Sequence, residues 1–92
     1  MKKIKIGIIG LGYVGLPLAI EFSKRYEVVG FDKKESRIKE LENNFDSTLE
    51  ISKKELILSK NLKFTRTEQN LKSCNFFIIS VPTPINENKT PN

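Results

Sequence analysis

The stretch K-I-K-I-G-I-I-G-L-G-Y-V-G-L-P-L-A-I-E-F, residues 3–22, sets three glycines, Gly10, Gly12 and Gly15, between two apolar runs. Ile4, Ile6, Ile8 and Ile9 form a short β-branched run closed by Gly10, which predicts a buried parallel strand. From Tyr13 to Arg25 the apolar residues Val14, Leu16, Leu18, Ala19 and Phe22 approximate helical spacing. Pro17 is tolerated only near a helix start, where its missing N–H costs nothing, so the helix must begin in the glycine segment itself. The glycines therefore mark the passage from a strand into a helix.

Working outward, E-V-V-G-F at 27–31 predicts a second strand ending at Asp32, and 36–43 a second helix with Ile38 and Leu41 inward and Asn43-Asn44 as its stop. Residues 45–48 read as irregular. Ser52-Lys53-Lys54-Glu55 fits a capping box ahead of Leu56, Ile57 and Leu58, predicting a short extra helix. Residues 62–65 predict a third strand, 67–73 a helical turn, and 76–81, F-F-I-I-S-V, a fourth strand. That last run is apolar on both faces and is expected at the centre of the sheet. Pro82 and Pro84 end it, and a polar tail follows.

Strands alternating with helices imply parallel pairing through right-handed crossovers. The expected fold is α/β: a Rossmann-like three-layer α/β/α arrangement with a partial doubly wound parallel sheet of about four strands, order 3-2-1-4. Such a sheet normally continues beyond its switch point. Residues 1–92 are therefore read as the N-terminal part of a dinucleotide-binding domain, with catalytic and substrate domains absent.

G-x-G-x-x-G alone is a weak signal, but here it follows a strand, opens a helix and precedes an acid at the end of the next strand, 22 residues from Gly10 to Asp32. Gly10 allows the tight turn, Gly12 lets backbone approach a pyrophosphate, and Gly15 lets the helix pack closely. Helix-start N–H groups and the aligned peptide dipoles attract phosphate, with Tyr13 and Val14 flanking it through the main chain. A glycine-rich turn without a ligand is the alternative. Asp32 would accept the adenosine ribose hydroxyls and repel a 2′-phosphate, favouring NAD over NADP. Lys33, Lys34 and Arg37 could instead receive that phosphate, but the carboxylate outweighs them. Asp32 could also cap the second helix, in competition for the same oxygens.

Composition narrows the classes. The chain carries 16 Lys and Arg against 11 Asp and Glu, a net +5. The cations are scattered among acids, as in K-K-E-S-R-I-K-E-L-E, so the excess points to a solvated surface or an anionic ligand, not to nucleic acid or membrane. One cysteine, Cys74, forbids an internal disulfide and reads as a core residue. With no histidine, no Ser-His or Cys-His pair can be built, and no metal-ligand spacing is present. No apolar run is long enough for a membrane span and no secretory signal is visible, so a cytoplasmic location is expected.

I-G-L-G-Y-V-G-L-P-L-A, then G-F-D-x-x-x-x-R-I-x-x-L, then S-V-P-T-P-I resembles the N-terminus of the UDP-glucose/GDP-mannose dehydrogenase family over nearly the whole chain. D-S-T-L-E at 46–50 and V-P-T-P-I at 81–85 look closest to the branch that oxidises UDP-N-acetylhexosamines, which includes Vi polysaccharide synthesis. The resemblance implies a homo-oligomeric enzyme that oxidises C6 of a nucleotide sugar to a carboxylate in two steps with NAD, through a cysteine thiohemiacetal and thioester, assisted by a lysine and an asparagine. Its uronic acids feed capsule or lipopolysaccharide assembly.

Carried over residue by residue, the resemblance makes Gly10, Leu11, Gly12, Tyr13, Val14 and Gly15 the pyrophosphate loop and Asp32 the ribose acid. It puts Arg37 near the adenosine end, and Val81 and Thr83 beside the nicotinamide-side ribose. The family's G-G-H-C-type cysteine motif does not surround Cys74, so no catalytic residue is assigned and the chain alone is expected to be inactive. A nucleotide-sensing binding module shares the glycine fingerprint and the acid after the second strand. A 3-hydroxy acid type of dehydrogenase often carries G-L-G-x-M-G, with Val14 here at the Met position.

Overall fold

The structure, a computed structural model, describes residues 3–80; Val81 and Thr83 lie outside the described residues. Four short strands, β1 (Lys5–Ile9), β2 (Glu27–Phe31), β3 (Leu62–Thr65) and β4 (Phe76–Ile79), form one sheet of order β3-β2-β1-β4, parallel at every pairing. Ile9 is level with Phe31 on one side and with Ile79 on the other. The ladder runs one residue further: Gly10 N–H donates to the Phe31 carbonyl at 2.8 Å, Ser80 N–H to Ile9 at 2.7 Å and Asp32 N–H to Thr65 at 3.1 Å. Gly10, Asp32 and Ser80 thus stand side by side along the carboxyl end of the sheet. The chain steps from β1 out to β3 and then jumps back across to β4, so β1 flanks the switch point, where open α/β sheets bind ligands.

Alternation within the strands sends Ile6, Ile8, Val28 and Leu62 to one face. There they meet Leu16, Ala19 and Ile20 of α1 (Gly15–Ser23), Ile38 and Leu41 of α2 (Glu35–Glu42), and Leu56 of α3 (Lys53–Leu58). Pro17 falls in the first turn of α1, as its chemistry requires. The end of α2 is a Schellman motif: Asn44 takes φ +61°, its N–H donates to Leu41 and Phe45 N–H donates to Glu40. The capping box of α3 is present in full, Ser52 Oγ accepting from Glu55 N–H at 3.2 Å and Glu55 Oε1 from Ser52 N–H at 3.3 Å.

The opposite face is thinner. Val29 and Phe31 pack with Leu71 and Cys74, beneath a 3₁₀ turn at Glu68–Leu71 where a helical turn over 67–73 was expected. The strand order is the expected 3-2-1-4; what the structure corrects is the central, two-sided burial expected of the fourth strand. Within the described residues β4 is the edge strand, and Phe76, Phe77 and Ile79 are 58%, 49% and 68% exposed. A run apolar on both faces specifies burial on both faces, but topology decides which side of β1 it joins. No described element covers its outer side.

Candidate functional site

The three glycines differ in what surrounds them. Gly10 has φ +100°, a left-handed conformation that side chains disfavour, and a Cβ there would lie 1.8 Å from the Ser80 carbonyl oxygen. A Cβ on Gly15 would lie 1.7 Å from the Gly10 carbonyl oxygen, so the first turn of α1 sits directly on the end of β1. A Cβ on Gly12 would meet nothing within 4 Å among the described residues. Two glycines are needed by the chain's own packing, and the third opens onto free space. Leu11 points the other way, fully buried, with its side chain against Gly30.

The start of α1 carries no cap of its own. Val14 occupies the N-cap without a side-chain hydrogen bond, and no acid lies in the first turn. Among the described residues, the N–H groups of Gly12, Tyr13, Val14 and Gly15 find no acceptor. Four successive donors at the positive end of a helix, beside an opening that no Cβ obstructs, have the chemistry of an anion site. Tyr13 and Val14 are exposed on its rim.

Asp32 is held at the edge of this opening. Its Oδ2 accepts from Leu11 N–H at 3.0 Å and its Oδ1 from Lys34 N–H at 3.0 Å. One oxygen steadies the glycine loop and the other the entry to α2. Each carboxylate oxygen can accept again, so the structural role does not exhaust the carboxylate.

Arg37 is buried, not a surface cation. Its Nε donates to the Leu11 carbonyl at 2.6 Å, and its Nη1 to Glu40 Oε1 at 2.5 Å and Asp46 Oδ1 at 2.7 Å. Its Nη2 is buried with no partner among the described groups. The guanidinium is thus engaged by two carboxylates, while Lys33 and Lys34 remain exposed.

Asp46, in the segment read as irregular, is the hub of an ordered turn. Its side chain is wholly buried and accepts from Thr48 N–H, Thr48 Oγ1, Glu50 N–H and Ile51 N–H at 2.7–3.0 Å, as well as from Arg37. Burial opposes its charge, but the hydrogen bonds from Thr48, Arg37 and Ile51 prevail and hold its pKa at about 2. Glu40 is also held below its ordinary value: burial works against the charge, and Ser47 and Arg37 overcome it. The sequence signal for this hub was Asp46-x-Thr48, an acid that can hydrogen-bond the backbone two residues on. Cys74 is a core residue, and burial pushes its thiol pKa up against the opposing charge of Lys5. No cluster of three metal-ligating side chains occurs among the described residues.

The sequence pattern of the UDP-glucose/GDP-mannose dehydrogenase family, NAD binding domain, matches residues 4–92. The chain belongs to this family. NAD is therefore the cofactor of the domain, and the unpaired amides around Gly12 fit its diphosphate. The UDP-N-acetyl-D-glucosamine 6-dehydrogenase of Salmonella typhi is 56% identical over 99% of this chain and 21% of its own length. The enzyme of the same description from Pseudomonas aeruginosa is 54% identical over 99% of this chain and 22% of its own. The solved structure of the UDP-D-ManNAc dehydrogenase of Pyrococcus horikoshii superposes with a TM-score of 0.76 at 35% identity, over 97% of this chain and 22% of that one. The chain thus spans about a fifth of the length of these relatives. No described helix is long and apolar enough to cross a membrane.

Proposed function

We propose that this chain holds NAD for a longer, cytoplasmic nucleotide-sugar 6-dehydrogenase that oxidises C6 of a UDP-N-acetylhexosamine or UDP-glucose to the uronic acid for capsule or lipopolysaccharide synthesis. The observation that carries the reading is the row of four N–H groups at Gly12–Gly15 without an acceptor among the described residues, open at Gly12 and bordered by the Asp32 carboxylate. In this reading the amides bind the diphosphate, and Gly10 and Gly15 shape the turn that presents them. Tyr13 and Val14 line the rim. Asp32 takes the adenosine ribose hydroxyls through the lone pairs left to its two oxygens.

Arg37 acts from behind the loop, at the adenosine end, through the Leu11 carbonyl. Val81 and Thr83 follow β4 and are assigned to the nicotinamide-side ribose. Bound NAD supplies the hydride acceptor. The chain's own part is to place and orient that cofactor; catalysis and sugar binding belong to the remainder of the longer protein, which is expected to be a homo-oligomer. The identity to two UDP-N-acetyl-D-glucosamine 6-dehydrogenases supports this substrate class.

Calorimetric titration of the chain with NAD and with NADP tests the reading. NAD is expected to bind, and NADP at least about tenfold more weakly, since a 2′-phosphate would meet the Asp32 carboxylate. Equal or tighter binding of NADP would overturn the role given to Asp32.

A further inference from the structure

We propose that Asp46 is a positioning residue for the dinucleotide: it holds Arg37 against the Leu11 carbonyl and so aims the Gly12 N–H at the diphosphate. This rests on the reading of the glycine corner as the NAD site.

The Leu11 carbonyl and the Gly12 N–H belong to one planar peptide group and point in opposite directions. Arg37 Nε grips that carbonyl at 2.6 Å from the buried side. The N–H at the other end of the plane is thereby turned toward the side where Gly12 is open. The preceding peptide is fixed as well, by Leu11 N–H on Asp32 Oδ2 at 3.0 Å. The two anchors differ in kind. Asp32 stands at the site itself, whereas Arg37 depends on what holds its guanidinium.

Asp46 provides that hold. It is wholly buried, fixed by three backbone N–H groups and the Thr48 hydroxyl of its own turn, and bound to Nη1 at 2.7 Å. Glu40, the other acid on Nη1, is 21% exposed at its side chain and lies one turn from Arg37 on the same helix. Asp46 ties the guanidinium directly to the turn that follows α2, whereas Glu40 reaches that turn only by accepting from Ser47 N–H at 3.2 Å and Ser47 Oγ at 2.8 Å. The Asp46 carboxylate touches Arg37 and its own turn, so any effect on the cofactor passes through Arg37.

The test is the dissociation constant for NAD of the chain and its Asp46→Asn, Arg37→Lys and double variants, with the Gly12 amide resonance recorded in the absence of ligand. Loss of a charge-assisted hydrogen bond corresponds to roughly tenfold, the weakening expected for Asp46→Asn. Arg37→Lys should lose at least as much, and the double variant little more than Arg37→Lys, because the two act in series. The Gly12 resonance should shift in Asp46→Asn. NAD binding within twofold of the parent, or losses that simply multiply in the double variant, would overturn the proposal. If Asp46→Asn does not fold, Thr48→Val removes one of the hydrogen bonds to Asp46, and an unmoved Gly12 resonance in that variant would overturn it equally. Failure of the unsubstituted chain to bind NAD would defeat the cofactor reading instead, and the Gly12 resonance would still show whether Asp46 sets the peptide plane.

Discussion

The glycine corner and β4 are neighbours on the same sheet, and both are built from apolar sequence, yet they end in opposite conditions. At the corner the chain closes on itself so tightly that Gly10 and Gly15 leave no room for a methyl group, and only Gly12 faces outward. At β4 the pairing with β1 is complete along one edge, but Phe77 and Ile79 on one face and Phe76 on the other remain uncovered. The contrast shows two uses of apolar sequence. One encloses a small polar opening and is finished within the chain. The other leaves apolar area open among the described residues.

The comparison can be broken most sharply at Gly15. Replacing it with alanine forces a Cβ into the Gly10 carbonyl, where backbone is the obstacle, and should destabilise the chain by about 3 kcal/mol or more. Gly12→Ala should leave stability within about 1 kcal/mol while weakening NAD binding, since the added methyl meets no described atom and enters only the opening proposed for the diphosphate. Urea unfolding read beside calorimetry separates the two, and equal destabilisation at both positions would erase the distinction.

Acid provides the next largest effect. The folded pKa of Asp46, about 2, lies below its ordinary 3.8, so the unfolded chain takes up this proton more readily. The stability it contributes, about 2 kcal/mol, is whole above roughly pH 4 and is lost as pH falls through about 2. Glu40 adds in the same direction. Denaturant midpoints between pH 5 and pH 2 should fall in the parent chain and fall less in Asp46→Asn.

The smallest effect on stability is expected at β4. Ile79→Lys alters a largely exposed side chain and should change stability by within about 0.5 kcal/mol. It should nevertheless reduce concentration-dependent self-association in sedimentation, because an open apolar strand edge is a template for pairing. A parent chain that stays monomeric at high concentration would remove that half of the contrast.

Features with local causes were legible in the sequence. Pro17 dated the start of α1, Ser52 and Glu55 announced α3, Asn43-Asn44 stopped α2, and the spacing from Gly10 to Asp32 linked two strand ends that prove to be adjacent. The Arg37 bridge was not legible, because its partners are 26 residues away at Leu11 and 9 away at Asp46, and nothing local requires them to meet. The order 3-2-1-4 was legible, but the burial expected of β4 is not met among the described residues, for a related reason. Hydrophobicity records that a strand is meant to be covered, not which residues do the covering.

The union of β1 with β4 also bears on the order of events in folding. Lys5 and Asn75 exchange hydrogen bonds across 70 residues of chain, whereas Lys5 pairs with Glu27 across only 22. Closing the longer loop costs about 1 kcal/mol more in chain entropy, which favours pairing of β1 with β2 ahead of pairing with β4. Ser80, whose carbonyl crowds Gly10, arrives with β4. The glycine corner begins at the tenth residue of the chain, yet its closure against Ser80 waits on the longest loop among these strand pairings.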